Sequence, residues 1–259
     1  MNIIQKYSTK NDCYQNNVNK VDSRYTTFQS RGPLGLMLHS VGCNQPSALV
    51  FANGWNVSGK EVAVHAVLQP DGTVYQCLPW NYRGWHAGGT ANNTHIGVEM
   101  TEPACIKYTS GFTFTCSDLP AAKAHAKAAY ETAVELFAFL CKKYKLDPTK
   151  DGVIISHKEG CARGTASNHG DPEHFWKGLG LDYTMNTFRK AVKAAMAEPE
   201  QPKLDNTPAA WSKDAIEWST KNGLLVGDEK GNLMLRSPVT REQLMVILKR
   251  YDETKEAKK

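Results

Sequence analysis

Two apolar runs in this chain each lead into a histidine. LGLMLHSVGC, residues 34–43, carries His39, and GVIIS, residues 152–156, runs directly into His157. An unbroken apolar run reads as a buried strand, and reactive groups collect where such strands leave a sheet. One histidine at such a place is more often a satisfied core residue than a ligand, but two of them make a shared ligand plausible chemistry, and a third donor is then wanted. The segment SHKEGCARGTASNHGDPEHFW, residues 156–176, offers Asp171, with Cys161, His169 and His174 as competitors. Two imidazoles and a carboxylate leave zinc an open fourth position for water, the pattern of a hydrolytic rather than a structural site. Zinc lowers the pKa of such a water from about 15.7 to about 7, which makes hydroxide available at neutral pH. A general base is still required. Glu99, an acid inside the run HIGVEM at 95–100, is the candidate, the alternative being a carboxylate satisfied by a backbone turn or an arginine.

These residues need elements to position them. The valine-rich alternation of EVAVHAVLQPDGTVYQCL, residues 61–78, predicts a β-hairpin turning at Asp71-Gly72, and THIGVEM at 94–100 predicts a further strand. Between 117 and 145, apolar residues at 126, 130, 133, 134, 137, 140, 141 and 144 have helical spacing. Asp118 suits its cap, Pro120 its first turn, and Asp147-Pro148 its stop. A second amphipathic helix is expected from about Thr184 to Met196. Strands mixed with helices in this order imply an α/β layer architecture, a central mixed β-sheet flanked by helices over residues 1–196.

AEPEQPKLDNTPAA then reads as a linker over 197–210. Beyond it, 211–252 predicts a small all-α helix-loop-helix module, and 253–259 a solvated tail. In this module Trp211, Ala215 and Trp218 describe one helix, stopped at Asn222-Gly223. Thr240 and Gln243 fit a capping box for a second, with Leu244, Ile247, Leu248 and Tyr251 along one face.

Composition narrows the function classes. With 259 residues, 41% hydrophobic and 22% charged, the chain is an ordinary globular one, and no apolar run has the length of a membrane helix. The net charge of +5 is spread rather than blocked, which argues against a dedicated nucleic-acid binder and suits a polyanionic wall equally well. Seven cysteines form no Cys-x-x-Cys pair, so zinc knuckles and thioredoxin-like sites are not suggested, and the odd count leaves at least one thiol free. The opening MNIIQKYSTKNDCYQNN has no secretory pattern, so synthesis in a reducing cytoplasm is expected.

Taken together, LMLHS, VHAVLQPDGTVYQC, RGWHAGG, HIGVEM and SHKEG followed by GDPEHFW resemble, in order and spacing, the zinc-dependent N-acetylmuramoyl-L-alanine amidases of the type 2 family, whose fold is shared with peptidoglycan recognition proteins. The N-terminal part is similar to amidases of clostridial phages and prophages. The resemblance implies Zn2+ held by His39, His157 and Asp171, Glu99 as catalytic acid/base, and His169, two residues before the third ligand, as hydrogen-bond donor to the carbonyl oxygen as it gains charge. Relatives with a tyrosine before the hairpin histidine have Val64 here, which favours the glutamate mechanism. Trp85, His86, Ala87 and Gly88 are expected to line the substrate groove, His65 to be structural, and Cys43 to be a buried inert thiol.

The module at about 205–252 resembles one S-layer homology repeat, although Thr240-Arg241-Glu242-Gln243 replaces the family's Thr-Arg-Ala-Glu and there is one copy rather than three. The resemblances imply an endolysin or autolysin that cuts between N-acetylmuramic acid and the L-alanine of the peptidoglycan stem. The module could bind secondary wall polymer or associate into a homo-oligomer. Release through a holin would bring the enzyme to the wall. The rival readings are a non-catalytic peptidoglycan-binding protein and a cytoplasmic muropeptide-recycling amidase.

Overall fold

The computed structural model describes residues 1–197, 205–229 and 231–256. The chain divides into two compact units, Met1–Ala197 and Glu198–Lys259. In chain order the first unit comprises β1 (Asn2–Gln5), α1 (Asp12–Asn19), α2 (Ser23–Arg31), β2 (Gly35–Ser40), α3 (Ala48–Gly54), β3 (Ala66–Leu68), β4 (Thr73–Gln76), β5 (His95–Met100), β6 (Ile106–Ser110), β7 (Thr113–Cys116), α4 (Leu119–Tyr144), β8 (Ile154–Ser156), α5 (His157–Ala162), α6 (Glu173–Gly178) and α7 (Met185–Met196). Six strands form a mixed sheet in the order β1-β4-β3-β5-β2-β8, and β6-β7 stand apart as a two-stranded sheet. Only the β3–β4 pair of the large sheet is antiparallel, the hairpin that turns at Asp71-Gly72.

Strand alternation sorts the residues of β2 and β5 by face. Leu36, Leu38, Ile96, Val98 and Met100 join the main core with Leu136, Phe137 and Leu140 of α4 and Phe188 and Val192 of α7. Met37 and Ile155 pack instead with Ala87 and Ala91, and His39 and Glu99 belong to that alternate set. Both faces of β2 are therefore covered, which is why its sequence is a continuous apolar run. Shortening one of the fully buried leucines, such as Leu38→Ala, costs about 2–5 kcal/mol.

The helix ends follow the expected chemistry. The Asp118 carboxylate accepts from Ala121 N at 3.0 Å to start α4, and Lys145 closes it with a left-handed backbone. Thr184 caps α7. The strand before His157 is shorter than its apolar run: Val153 remains outside β8, and His157 is the first residue of α5, capped by Ser156. No helix among the described residues is long and apolar enough to cross a membrane.

In the second unit, α8 (Lys213–Lys221) ends at Asn222 and a left-handed Gly223, and α9 (Arg241–Glu256) begins at Thr240. Thr240 Oγ1 accepts from Gln243 N at 3.1 Å, and Gln243 Oε1 accepts from Thr240 N at 2.8 Å, a reciprocal box. Three expectations differ here. Asp205 and Asn206 are not free linker, because Asp205 N donates to Asn232 Oδ1 at 2.9 Å and Asn206 Nδ2 to Gly231 O at 2.9 Å. Residues 198–204 of the expected linker lie outside the described residues, as do tail residues 257–259. Helix α9 continues through 253–256, part of the expected tail, and Trp211 sits in a 3-10 turn, 90% exposed, rather than on an apolar helix face.

Candidate metal centre

His39 occupies the fifth of six positions in β2 and is paired in register with Glu99 of β5. Leu38 pairs with Ser156, which places His157 at the same end of the neighbouring strand. Asp171 arrives on the loop before α6. Parallel strands with a common C-terminal edge thus converge residues 39, 99 and 157 from three distant segments.

One donor atom from each of His39, His157 and Asp171 lies within 4.8 Å of the others. His39 Nδ1 is 3.1 Å from Asp171 Oδ2 and 3.0 Å from His157 Nδ1, and His157 Nδ1 is 3.7 Å from Asp171 Oδ1. The other ring nitrogens are occupied. His86 Nε2–H donates to the His95 carbonyl at 3.0 Å, so His86 Nδ1 accepts from His39 Nε2–H, also at 3.0 Å. Ser167 Oγ–H donates to the Ala87 carbonyl at 3.3 Å, so Ser167 Oγ accepts from His157 Nε2–H at 3.1 Å. Both imidazoles therefore turn an Nδ1 lone pair toward a buried carboxylate, three acceptors facing one another. Such a cluster needs a proton or a cation between its members, and two imidazoles plus a carboxylate suit zinc. Burial pulls the His39 pKa down, but the charges of Glu99 and Asp171 outweigh it and hold the imidazole above its ordinary value. Burial acts against ionised Asp171 too, yet His39 and His157 keep its carboxyl low. His157, desolvated and beside His39, falls to about 4.

Glu99 lines the same cleft of about 430 Å³, together with His39, His157, His169, Asp171 and Trp85. Its Oε2 is buried with no hydrogen-bond partner among the described residues, so neither a backbone turn nor an arginine satisfies it. Burial pushes its carboxyl up to about 8, against the pull of His39. An acid kept partly protonated near neutral pH, beside a cleft, is suited to both taking and returning a proton. His169 is exposed on the cleft, its Nδ1 3.0 Å from Ser167 Oγ and its ring 4.4 Å from that of His157.

The other sequence candidates are distributed as follows. Cys161 Sγ faces Asn168 at 3.8 Å and His174 Nε2 faces Tyr108 OH at 2.7 Å, so neither joins the cluster. Trp85 borders the cleft and donates its Nε1–H to Tyr25 OH at 3.0 Å. Gly88 lines the cleft with φ +62°, and a Cβ there would lie 2.6 Å from Ser167 Oγ. Ala87 is buried. His86 is held behind His39, and burial keeps its pKa well below the usual value. His65 is fully buried, accepting from Gly97 N at 3.0 Å and contacting Tyr82 O at 2.7 Å, a structural role. Cys43 is half-buried rather than buried, because it sits in the loop after β2 rather than in the sheet, and all seven cysteines are free.

Sequence reasoning missed the link from His86 to His39, and the signal was Gly97. A Cβ at that strand position would lie 2.2 Å from His86 Cγ, so the glycine is the space the ring fills. It also missed Tyr108 and Phe112 of the β6-β7 hairpin, which border the cleft.

Among curated proteins, none matches the chain. Among solved structures it is similar to the Staphylococcus aureus hydrolase AmiA in complex with its ligand, at 16% identity and TM-score 0.48, covering 64% of this chain and 74% of that one. It is similar to the catalytic domain of XlyA, at 18% identity and TM-score 0.46 over 74% and 99% of the two chains. The PlyG catalytic domain is matched at 16% identity and TM-score 0.48 over 78% and 100%. The family model described as N-acetylmuramoyl-L-alanine amidase matches residues 29–174, more than half of the chain and the whole span from before His39 to beyond Asp171. The chain therefore belongs to the N-acetylmuramoyl-L-alanine amidase family.

Proposed function

We propose that this chain is a zinc-dependent peptidoglycan hydrolase that cuts the amide between the lactyl group of N-acetylmuramic acid and the L-alanine of the stem peptide. The observation that carries the reading is the convergence of three acceptors, from His39, His157 and Asp171, in one cleft with the half-buried Glu99, whose Oε2 has no hydrogen-bond partner among the described residues. Zinc held by those three residues would supply Lewis acidity toward the scissile carbonyl and the attacking water. Glu99 accepts the proton the water loses and passes it to the departing amine, a cycle its raised pKa suits. His169, exposed on the cleft beside the His157 ring, would donate to the carbonyl oxygen as it becomes negative. Trp85 offers an apolar face to the sugar-peptide chain, and Gly88 allows it close approach.

In this reading the enzyme acts on the bacterial wall as an endolysin would, reaching it after release from the cytoplasm in which it is made. The second unit holds the chain on wall polymer, or on a second copy of itself, and raises its effective concentration at the substrate. The test is digestion of purified peptidoglycan followed by mass analysis of the new ends. Free lactyl carboxylates paired with new L-alanine amines support the assignment. Ends produced between two amino acids, or between two sugars, reject it.

A further inference from the structure

The cleft has a wall that the main sheet does not hold. Tyr108, Gly111 and Phe112 line it from the β6-β7 hairpin, which is hydrogen-bonded to no strand of the six-stranded sheet. A two-stranded hairpin is marginal alone, so side chains must fix this one. Tyr108 OH donates to Glu102 Oε2 at 2.8 Å and lies 2.7 Å from His174 Nε2, whose N–H donates to the phenol oxygen. Glu102 is fully buried just past β5, and its other oxygen accepts from Gly42 N at 3.3 Å, three residues beyond His39. His174 lies on α6, three residues beyond Asp171. One hydrogen-bonded chain thus runs from the segment after His39, through the hairpin, to the helix after Asp171. Ring contacts follow the same path: Tyr108 lies 5.4 Å from Phe114, and Phe112 lies 5.6 Å from His174. The Phe112 ring also approaches Gly170 so closely that a Cβ there would be 3.1 Å from it.

We propose that Tyr108 is a positioning residue whose hydroxyl latches the β6-β7 hairpin between Glu102 and His174, and that this latch sets how tightly the groove holds the glycan-peptide substrate. The proposal deepens the amidase reading and rests on it for the identity of that substrate. The Tyr108 hydroxyl bonds to Glu102 and His174 and to neither Glu99 nor the three converging acceptors, so its effect falls on substrate binding rather than on bond breaking. The connection survives protonation of Glu102, whose carboxyl burial raises to about 7. A protonated Glu102 donates to Tyr108, which then donates to an unprotonated His174 Nε2. Glutamine at 102 reproduces that order, with its carbonyl accepting from Gly42 N and its amide donating to Tyr108.

The test is steady-state kinetics of the full chain on a soluble muropeptide, paired with hydrogen–deuterium exchange over residues 106–116. Tyr108→Phe keeps the ring and its packing on Phe114 and loses only the hydroxyl. It is expected to raise KM about three- to tenfold, the loss of one net hydrogen bond, with kcat within about twofold of wild type. Exchange across the hairpin rises while that of α4 does not change. Glu102→Leu gives the same pattern, and Glu102→Gln recovers most of what Glu102→Leu loses. The proposal is overturned if Tyr108→Phe leaves KM and hairpin exchange unchanged, if it lowers kcat at constant KM, or if Glu102→Gln is as impaired as Glu102→Leu. If wild type leaves the lactyl–L-alanine amide of the muropeptide uncut, the amidase reading fails, and hairpin exchange still decides whether the latch exists.

Discussion

His39 Nε2 and His86 Nδ1 lie 3.0 Å apart, and the direction of that hydrogen bond is set by a backbone carbonyl on the far side of His86. Because the His95 carbonyl can only accept, His86 must accept from His39, and His39 is left with its Nδ1 lone pair toward Asp171. His86→Phe removes the acceptor and frees His39 to take the wrong tautomer. Zinc affinity is expected to fall about 10- to 100-fold, the usual effect of losing such a supporting partner. Competition titration against a chromogenic chelator measures it directly, and an unchanged affinity would show that His39 needs no such support.

Gly97→Ala tests the same relationship sterically. The new methyl would meet His86 Cγ at 2.2 Å, inside a sheet with no room to relax. Overpacking of this kind costs about 1–3 kcal/mol, visible as a lower urea midpoint at unchanged slope. Zinc affinity should fall alongside, since the displaced ring is the one that orients His39. A stable variant with normal affinity would mean that His86 has another position open to it.

Glu99→Gln separates chemistry from metal binding. The amide that replaces the carboxylate cannot accept a proton from water, so turnover should drop by about 10²- to 10⁴-fold while zinc still binds. Activity that persists at the wild-type level would reassign the proton carrier.

The same substitution has a pH signature in chelated protein. The Glu99 carboxyl is raised in the fold, from 4.5 to about 8, so its neutral form is the one the fold favours. Any stability tied to that proton is complete below the unfolded value and is lost as pH rises through about 8. Glu99→Gln should therefore match wild type at about pH 4 and exceed it increasingly up to about pH 9, as read by urea denaturation at each pH. Equal stability at both ends would mean that Glu99 is not desolvated in solution.

For the second unit the expected behaviour is wall retention. Binding of the full chain to purified walls should weaken severalfold when secondary polymers are stripped by acid, with turnover on soluble muropeptide unaffected. Equal binding to stripped and intact walls would remove the polymer from the account and leave self-association, which sedimentation at increasing concentration reads.

The layered sheet and its long helix were legible because each depends on short-range pattern. The apolar periodicity of residues 126–144, the cap at Asp118, and the turn at Asp71-Gly72 are local signals with local causes. The two apolar strands that deliver His39 and His157 were legible for the same reason. The choice among Asp171, Cys161, His169 and His174 was not legible from residues alone, because all four lie within fourteen positions of one another and only the fold decides which turns inward. Tyr108 was not legible at all. Its partners, Glu102 and His174, are 6 and 66 residues away, and no periodicity records a contact of that range. The short polar strand β1, NIIQ, also lacks an alternating signature, since three of its four residues are exposed at the sheet edge. Trp211 misled in the opposite direction: an aromatic at helical spacing suggests burial, yet it stands in solvent.

The most direct test of the central claim is zinc-edge X-ray absorption on the full chain loaded with one equivalent of zinc. A single bound ion with two imidazole shells, oxygen in the remaining positions and no sulfur is the predicted result, together with loss of the ion in Asp171→Ala. A sulfur shell, which would bring in Cys161 or Cys43, or a chain that retains no zinc after gel filtration, would contradict it.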